Sequence, residues 1–229
     1  MLSINNNRGI GMHYVTSDIH NDNVKFEKLL ERLALSGNDC LYILGDLFDR
    51  TDYNPDPVGV YFNILKTGNK CRMIRGNHDD WLARYILSYY KTPERKRKKL
   101  AAYEYNTFAL LTERLTSVDM MHLAKMILEW PVQDCIEIDG VRYLLAHAMT
   151  AHPHKVYRDD YYMWGEGDEQ EFLKKGIAGY ISVCGHHNKG GGTIWKNGIG
   201  NVYICDCGSG DKSGRLGCLC LETKEEIYV

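Results

Sequence analysis

A chain of 229 residues suits one domain, or one domain carrying an insertion, and 44% hydrophobic with 25% charged residues is the balance of a soluble globular protein. A formal charge of −2 excludes the basic surplus of a bulk nucleic-acid or membrane-surface binder. No apolar run reaches bilayer length and the start, Met-Leu-Ser-Ile-Asn-Asn-Asn-Arg, lacks a secretory core, so a cytoplasmic protein with no membrane partner is expected.

Residues 1–11 are polar and unpatterned and read as an irregular tail, with one domain expected over 12–229. His13 to Ser17 is a short apolar strand. Residues 22–35 carry Val24, Leu29, Leu30 and Leu33 at helical spacing, with Asp22 near the N-cap and Gly37 as a stop. Cys40 to Leu44 reads as a buried strand, 57–67 as a helix with Pro57 in its first turn and Gly68 after it, and Cys71 to Ile74 as the next strand. Three strand–helix units in a row imply a parallel sheet with right-handed crossovers.

Residues 79–129 change character: long, helical, partly charged, broken at Thr92-Pro93 and closed by Trp130-Pro131, they form a helical insertion over 79–130. The run Arg95-Lys-Arg-Lys-Lys99 within it reads as a solvated helix face. The remainder is β-rich, with strands expected at 134–138, 141–146, 180–184, 193–195, 201–205, 216–221 and 226–229, the first two joined by an Asp139-Gly140 hairpin turn. Residues 149–170 form a long aperiodic segment rich in aromatic, histidine and acidic residues, the kind of loop that often serves function. The eight cysteines include no C-x-x-C pair, and several sit in strands, so free buried thiols are expected ahead of a four-cysteine zinc site.

The first three strands end in chemistry. They run into Asp18-Ile-His20, Gly45-Asp46-Leu-Phe-Asp49-Arg50 and Arg75-Gly76-Asn77-His78-Asp79; two later strands run into His147 and Gly185-His186-His187. The carboxyl ends of parallel strands share one sheet edge, so these residues are expected to meet there. Carboxylates, imidazoles and one amide form a donor set for borderline or hard divalent cations, and crowded carboxylates would repel one another without them. Gly45, Gly76 and Gly185 precede ligand candidates and permit close backbone approach. Singly, Asp18-x-His20 is a weak signal and His147 or His186 more often a core histidine; in order, each after a strand, the five segments are not explained by structure alone. Asp79 is expected to cap the following helix, and Asp206 to be structural.

With these motifs the chain resembles the calcineurin-like metallophosphoesterases, and within them the phosphoprotein phosphatase branch with its small bacterial and phage serine/threonine phosphatases. The similarity runs from about Met12 to the C-terminus. It implies an α/β fold (α+β by some schemes): a four-layer αββα sandwich of two mixed sheets flanked by helices. It implies a first metal held by Asp18, His20 and Asp46, and a second by Asp46, Asn77, His147 and His186, with Asp46 bridging. The two divalent ions would be manganese, with iron or zinc as alternatives. His78 matches the catalytic histidine and Asp49 its orienting partner; Arg50 and Arg75 match phosphate-binding arginines. The implied reaction is phosphate monoester hydrolysis by a metal-bridging hydroxide, with His78 as general acid. Three departures stand out. Thr51 follows Arg50 where the family carries glycine. Asn188 ends the Gly185-His186-His187 motif where many phosphodiesterases carry histidine. Trp164-Gly165-Glu166 lacks the arginine of a Trp-x-Arg, for which Arg158 is a candidate substitute.

The substrate expected from this resemblance is a phosphorylated protein or a small phosphoester. The alternative is a dinucleoside polyphosphate, whose bases could stack on tyrosines such as Tyr85, Tyr89, Tyr90, Tyr157, Tyr161 and Tyr162, residues that packing within a helical cap explains at least as well. A specific nucleic-acid partner is not expected, since no broad basic track exists. A non-catalytic scaffold of this fold ranks last, because every metal position carries a competent residue.

Overall fold

The computed structural model describes residues 11–51 and 53–229. The proposed tail therefore lies almost wholly outside the described residues. The strands are β1 (His13–Thr16), β2 (Cys40–Ile43), β3 (Cys71–Met73), β4 (Gln133–Ile138), β5 (Val141–Ala146), β6 (Ile181–Cys184), β7 (Trp195–Lys196), β8 (Val202–Ile204), β9 (Gly217–Cys220) and β10 (Glu226–Tyr228). The helices are α1 (Asn23–Leu33), α2 (Pro57–Thr67), α3 (Asn77–Lys91), α4 (Glu94–Arg97), α5 (Thr107–Arg114), α6 (Ser117–Glu129), α7 (Asp159–Trp164) and α8 (Glu169–Lys175).

Two five-stranded sheets result, in the orders β10-β9-β1-β2-β3 and β4-β5-β6-β8-β7. The expected parallel core is present, β1 pairing β2 and β2 pairing β3 in parallel, with β9 and β10 added antiparallel at one edge. In the second sheet β5, β6 and β8 run parallel between antiparallel β4 and β7. Both sheets are thus mixed.

Strand alternation assigns the layers. On β2, Leu41 and Ile43 face the helical core with Phe26, Leu29, Leu82, Leu111 and Leu123, while Cys40, Tyr42 and the following Leu44 face the other sheet. Tyr143, Leu145, Val183 and Tyr203 meet them from the second sheet, and Val202 and Ile204 turn outward to Phe172 of α8. Helices therefore cover both outer faces, giving the four-layer αββα sandwich. The cysteines follow the same rule. Cys205 and Cys207 lie between the sheets and Cys218 on the helical side, all eight thiols are free, and among the described residues none joins a metal-capable group.

Local chemistry sets the element ends. Asp22 caps α1 by accepting from Lys25 N, Asp56 caps α2, and Asp139-Gly140 takes the left-handed turn (φ 50° and 79°) of a tight hairpin. The first helix stops at Ala34 in a left-handed conformation, earlier than Gly37. The 79–129 stretch breaks twice more than expected, over 98–106 and at 115–116. Its helices α3, α5 and α6 build the main core rather than a separate lobe. The aperiodic 149–170 segment contains α7, and α8 begins at its end. Among the described residues no helix is long and apolar enough to cross a membrane.

Candidate active site

The carboxyl ends of β1, β2, β3, β5 and β6 open on one edge of the sandwich, and the five motifs converge there. Two groups of donor atoms form, Asp18–His20–Asp46 and Asp46–His147–His186, each with its atoms within 4.8 Å of one another. Asp46 Oδ2 is shared: it lies 3.9 Å from His20 Nε2 and 3.3 Å from His147 Nε2. Asp18 Oδ1 is 3.6 Å from His20 Nε2, and His147 Nε2 is 2.9 Å from Asn77 Oδ1 and 3.1 Å from His186 Nδ1.

The backbone is bent to make this possible. Asp18, His20, Asp46, Asp49, Arg50 and His186 all have left-handed φ, between 51° and 70°. Non-glycine residues rarely adopt that region, and strain of about 1–3 kcal/mol each persists where function demands it. The glycines solve a different problem. A Cβ on Gly76 would sit 2.3 Å from Asp46 Oδ1, and one on Gly185 would sit 1.9 Å from Ser17 Oγ and 2.3 Å from Asp18 Oδ2.

Outer contacts aim the donors. His20 Nδ1 faces the Phe48 carbonyl at 3.1 Å and His147 Nδ1 faces the Leu44 carbonyl at 2.6 Å. A carbonyl only accepts, so both Nδ1 atoms carry a proton and both Nε2 atoms point into the site. Asp18 Oδ2 accepts from His186 N at 2.9 Å and Asp46 Oδ1 from His78 N at 3.0 Å, leaving one oxygen of each aspartate inward. Asp79 caps α3 from its third position rather than from its start, accepting from Gly76 N, and it also accepts from Asp46 N and Leu47 N, so it fixes the ligand loop as well.

Do these residues suit a cation? Asp18 Oδ1 and Asp46 Oδ2 are buried and accept no hydrogen bond among the described residues. Buried carboxylate oxygens without a partner are costly, and a divalent ion satisfies them. The electrostatics agree. Burial and the charge of Asp46 push Asp79 up to about 7, and burial and Asp18 do the same to Asp206. His147 is raised to about 10: burial opposes its charge, but Asp46 beside it prevails. The site draws positive charge to itself, and the donor set fits a pair of divalent cations.

The remaining expected residues divide. His78 Nδ1 lies 3.3 Å from Asp49 Oδ2, next to the cluster, and Arg50 lines a cavity of about 550 Å³ with His20, His186 and Asp206. Thr51, at the glycine position, anchors that loop by donating from Oγ1 to the Gly210 carbonyl at 2.9 Å. Arg75 differs from expectation. Its Nη2 binds Asp159 at 2.7 Å, its Nη1 the Leu128 carbonyl at 3.1 Å, and its Nε faces Asp80 at 3.6 Å. The guanidinium braces α3, α6 and α7 together through these contacts. His187 turns away to Glu169, and Arg158 is exposed and paired with Asp160.

Sequence reasoning missed three aromatic residues here and read the fourth, Trp164, only as part of a motif. Tyr103 donates to Asp49 Oδ2 at 2.5 Å, Tyr105 packs edge-on to His78, and Trp81 and Trp164 stand beside His78 and His186. The cap tyrosines follow the packing alternative, Tyr85 and Tyr89 around Phe108 and Tyr157 flat on Tyr161.

Comparison with known proteins agrees with this geometry. The chain is 26% identical over 137 residues to a symmetrical bis(5′-nucleosyl)-tetraphosphatase of Pectobacterium atrosepticum, a match covering 59% of this chain and 42% of the relative. The chain thus spans less than half the length of that curated relative. Among solved structures, a candidate diadenosine tetraphosphatase superposes with a TM-score of 0.67 at 19% identity, over 96% of this chain and 93% of the other. A Saccharomyces cerevisiae serine/threonine phosphatase superposes at 0.54 and 14% identity, over 98% and 81%. At those identities the likeness is one of fold. The sequence profile of the calcineurin-like phosphoesterases matches residues 14–207. The chain belongs to the calcineurin-like phosphoesterase family.

Proposed function

We propose that residues 12–229 act as one domain that hydrolyses phosphate monoesters at a two-metal centre, in the manner of a serine/threonine protein phosphatase. The observation that carries this reading is Asp46, whose unpartnered Oδ2 belongs to both donor groups. Asp18, His20 and Asp46 would hold one ion and Asp46, Asn77, His147 and His186 the other, with manganese as the favoured metal. Bound there, two divalent cations supply the charge neutralisation and water activation that phosphoester hydrolysis needs.

The chain's own residues do the rest. Arg50 sits on a left-handed loop pinned by Thr51 and offers a planar fork to the phosphoryl oxygens, a geometry lysine does not match. His78 directs Nδ1 at Asp49, so Nε2 is the atom left to hold a proton for the leaving oxygen. Asp49 is fully buried and takes donors from both His78 and Tyr103, which fix its orientation and hence that of the imidazole. Arg75 is removed from the phosphate-binding set and given a bracing role.

A second reading, symmetrical hydrolysis of dinucleoside polyphosphates, is favoured by the names of the curated relatives. Turnover of p-nitrophenyl phosphate, a phosphoserine peptide and diadenosine tetraphosphate with added Mn²⁺ tests both. Metal-dependent hydrolysis led by the phosphopeptide supports the first reading; preference for the dinucleotide moves the assignment to the second. No hydrolysis of any of them contradicts both.

A further inference from the structure

We propose that Trp81 and Trp164 form a ring-binding subsite beside the catalytic centre, which seats a flat aromatic group, nucleobase or aryl, carried by the substrate's phosphate. This rests on the phosphoesterase reading for the placement of the phosphoryl group and, because a phosphoserine carries no ring, favours the dinucleotide substrate over the serine/threonine one.

The two indoles come from separate parts of the chain. Trp81 stands one turn after His78 on α3, so their side chains share a face, and their ring centroids are 5.9 Å apart at 84°. Trp164 ends α7, just before Gly165 in a left-handed conformation, and its ring lies 6.1 Å from that of His186 at 83°. The tryptophans meet edge to face at 5.6 Å. A continuous aromatic wall results, His78–Trp81–Trp164–His186, joining the proposed general acid to a proposed metal ligand.

Exposure singles out this pair. Trp81 is 43% and Trp164 40% exposed, although both lie in ordered helices within reach of buried partners. A lone exposed apolar residue requires no explanation, but two adjoining indoles abutting the reacting groups form an exposed aromatic patch at the edge of the site. Indole faces are suited to stacking on any flat ring, and such contacts tolerate different bases because each has a π-face. The wall borders the cavity bearing Arg50 and Tyr105 through His186, and its other end is His78, the proposed proton donor to the leaving oxygen. The ring is therefore assigned to the leaving group. A nucleoside phosphate and a phosphotyrosyl group both supply such a ring; a phosphoserine does not.

The test measures binding, so that it does not depend on turnover. Calorimetric titration of the Mn²⁺-loaded full chain compares two non-hydrolysable pairs: phenylphosphonate against methylphosphonate, and adenosine 5′-methylenediphosphonate against methylenediphosphonate. At least one ring-bearing member is expected to bind about tenfold more tightly than its ring-free partner, a ratio within the range of one base stacking on an aromatic side chain. That ratio is expected to fall to within about twofold in Trp81→Leu and in Trp164→Leu, and to return in Trp81→Phe. An advantage in the phenyl pair alone identifies an aryl site, and one in the adenosine pair a nucleobase site. Equal binding within both wild-type pairs overturns the proposal, as does a ratio that survives both leucine variants. Ring-selective binding without hydrolysis of any phosphoester would keep the subsite and refute the catalytic reading; hydrolysis without ring selectivity would do the reverse.

Discussion

Replacing Tyr103 with phenylalanine removes one oxygen and isolates one hydrogen bond. Tyr103 donates at 2.5 Å to Asp49 Oδ2, and Asp49 is 0% exposed with no hydrogen-bond partner on Oδ1 among the described residues. In Tyr103→Phe the only side chain among the described residues left donating to that carboxylate is His78, at 3.3 Å. A hydrogen bond to a charged group contributes about 1.5–3 kcal/mol, and a buried acceptor left short of donors costs a similar amount. Unfolding in urea should therefore show a loss of about 1.5–3 kcal/mol. If half of that restraint acts on the His78 imidazole in the transition state, turnover of an alkyl phosphate falls roughly 3- to 13-fold, since about 1.4 kcal/mol is a factor of ten. p-Nitrophenyl phosphate, whose leaving group needs little help from an acid, should lose less. The pH dependence has a definite sign. Burial and then the charge of Asp49 hold the Tyr103 hydroxyl well above its ordinary value, so the folded protein retains this proton more tightly than the unfolded chain. The stability it contributes is complete below the unfolded tyrosine value of about 10 and is lost as pH rises beyond it. The gap between wild type and variant should stay constant from about pH 6 to 9 and narrow above 10. Equal stability of the two proteins, or equal losses on alkyl and p-nitrophenyl substrates, would refute the reasoning.

Other substitutions separate the roles. Asp46→Asn should lose metal content, measured by elemental analysis, together with activity, because one shared oxygen serves both donor groups. His78→Asn should keep its metal and lose about 10²–10⁴-fold in turnover of alkyl phosphates, the usual worth of a positioned general acid. Arg50→Ala should weaken competitive inhibition by inorganic phosphate with little change in melting temperature, whereas Arg75→Ala should lower stability by about 1–3 kcal/mol through loss of its links to Asp159 and the Leu128 carbonyl. Excess chelator should abolish hydrolysis and Mn²⁺ restore it, read directly with p-nitrophenyl phosphate.

Much of the architecture was legible because local rules and packing agree. Leu41 and Ile43 alternate with Cys40 and Tyr42 across β2, Pro57 opens α2, and Asp139-Gly140 turns the hairpin. The polar ends of β1, β2, β3, β5 and β6 converge because parallel strands share an edge, a constraint readable from strand order alone. What stayed hidden depends on contacts distant in sequence. Leu100-Ala101-Ala102 has helical propensity, yet 98–106 is not helical: Tyr103 reaches Asp49 and the Ala101 carbonyl accepts from the Tyr85 hydroxyl. Arg75 sits in the motif expected to bind phosphate, but Asp159, 84 residues on, accepts from its Nη2. No spacing rule links Trp81 to Trp164, since only the placement of α7 against α3 brings them together.

The most direct measurement is anomalous diffraction from crystals grown with Mn²⁺. Two peaks are expected, both in contact with Asp46, one also touching Asp18 and His20 and the other Asn77, His147 and His186. A single peak, or a pair that leaves Asp46 out, would contradict the shared-carboxylate centre on which the proposed chemistry depends.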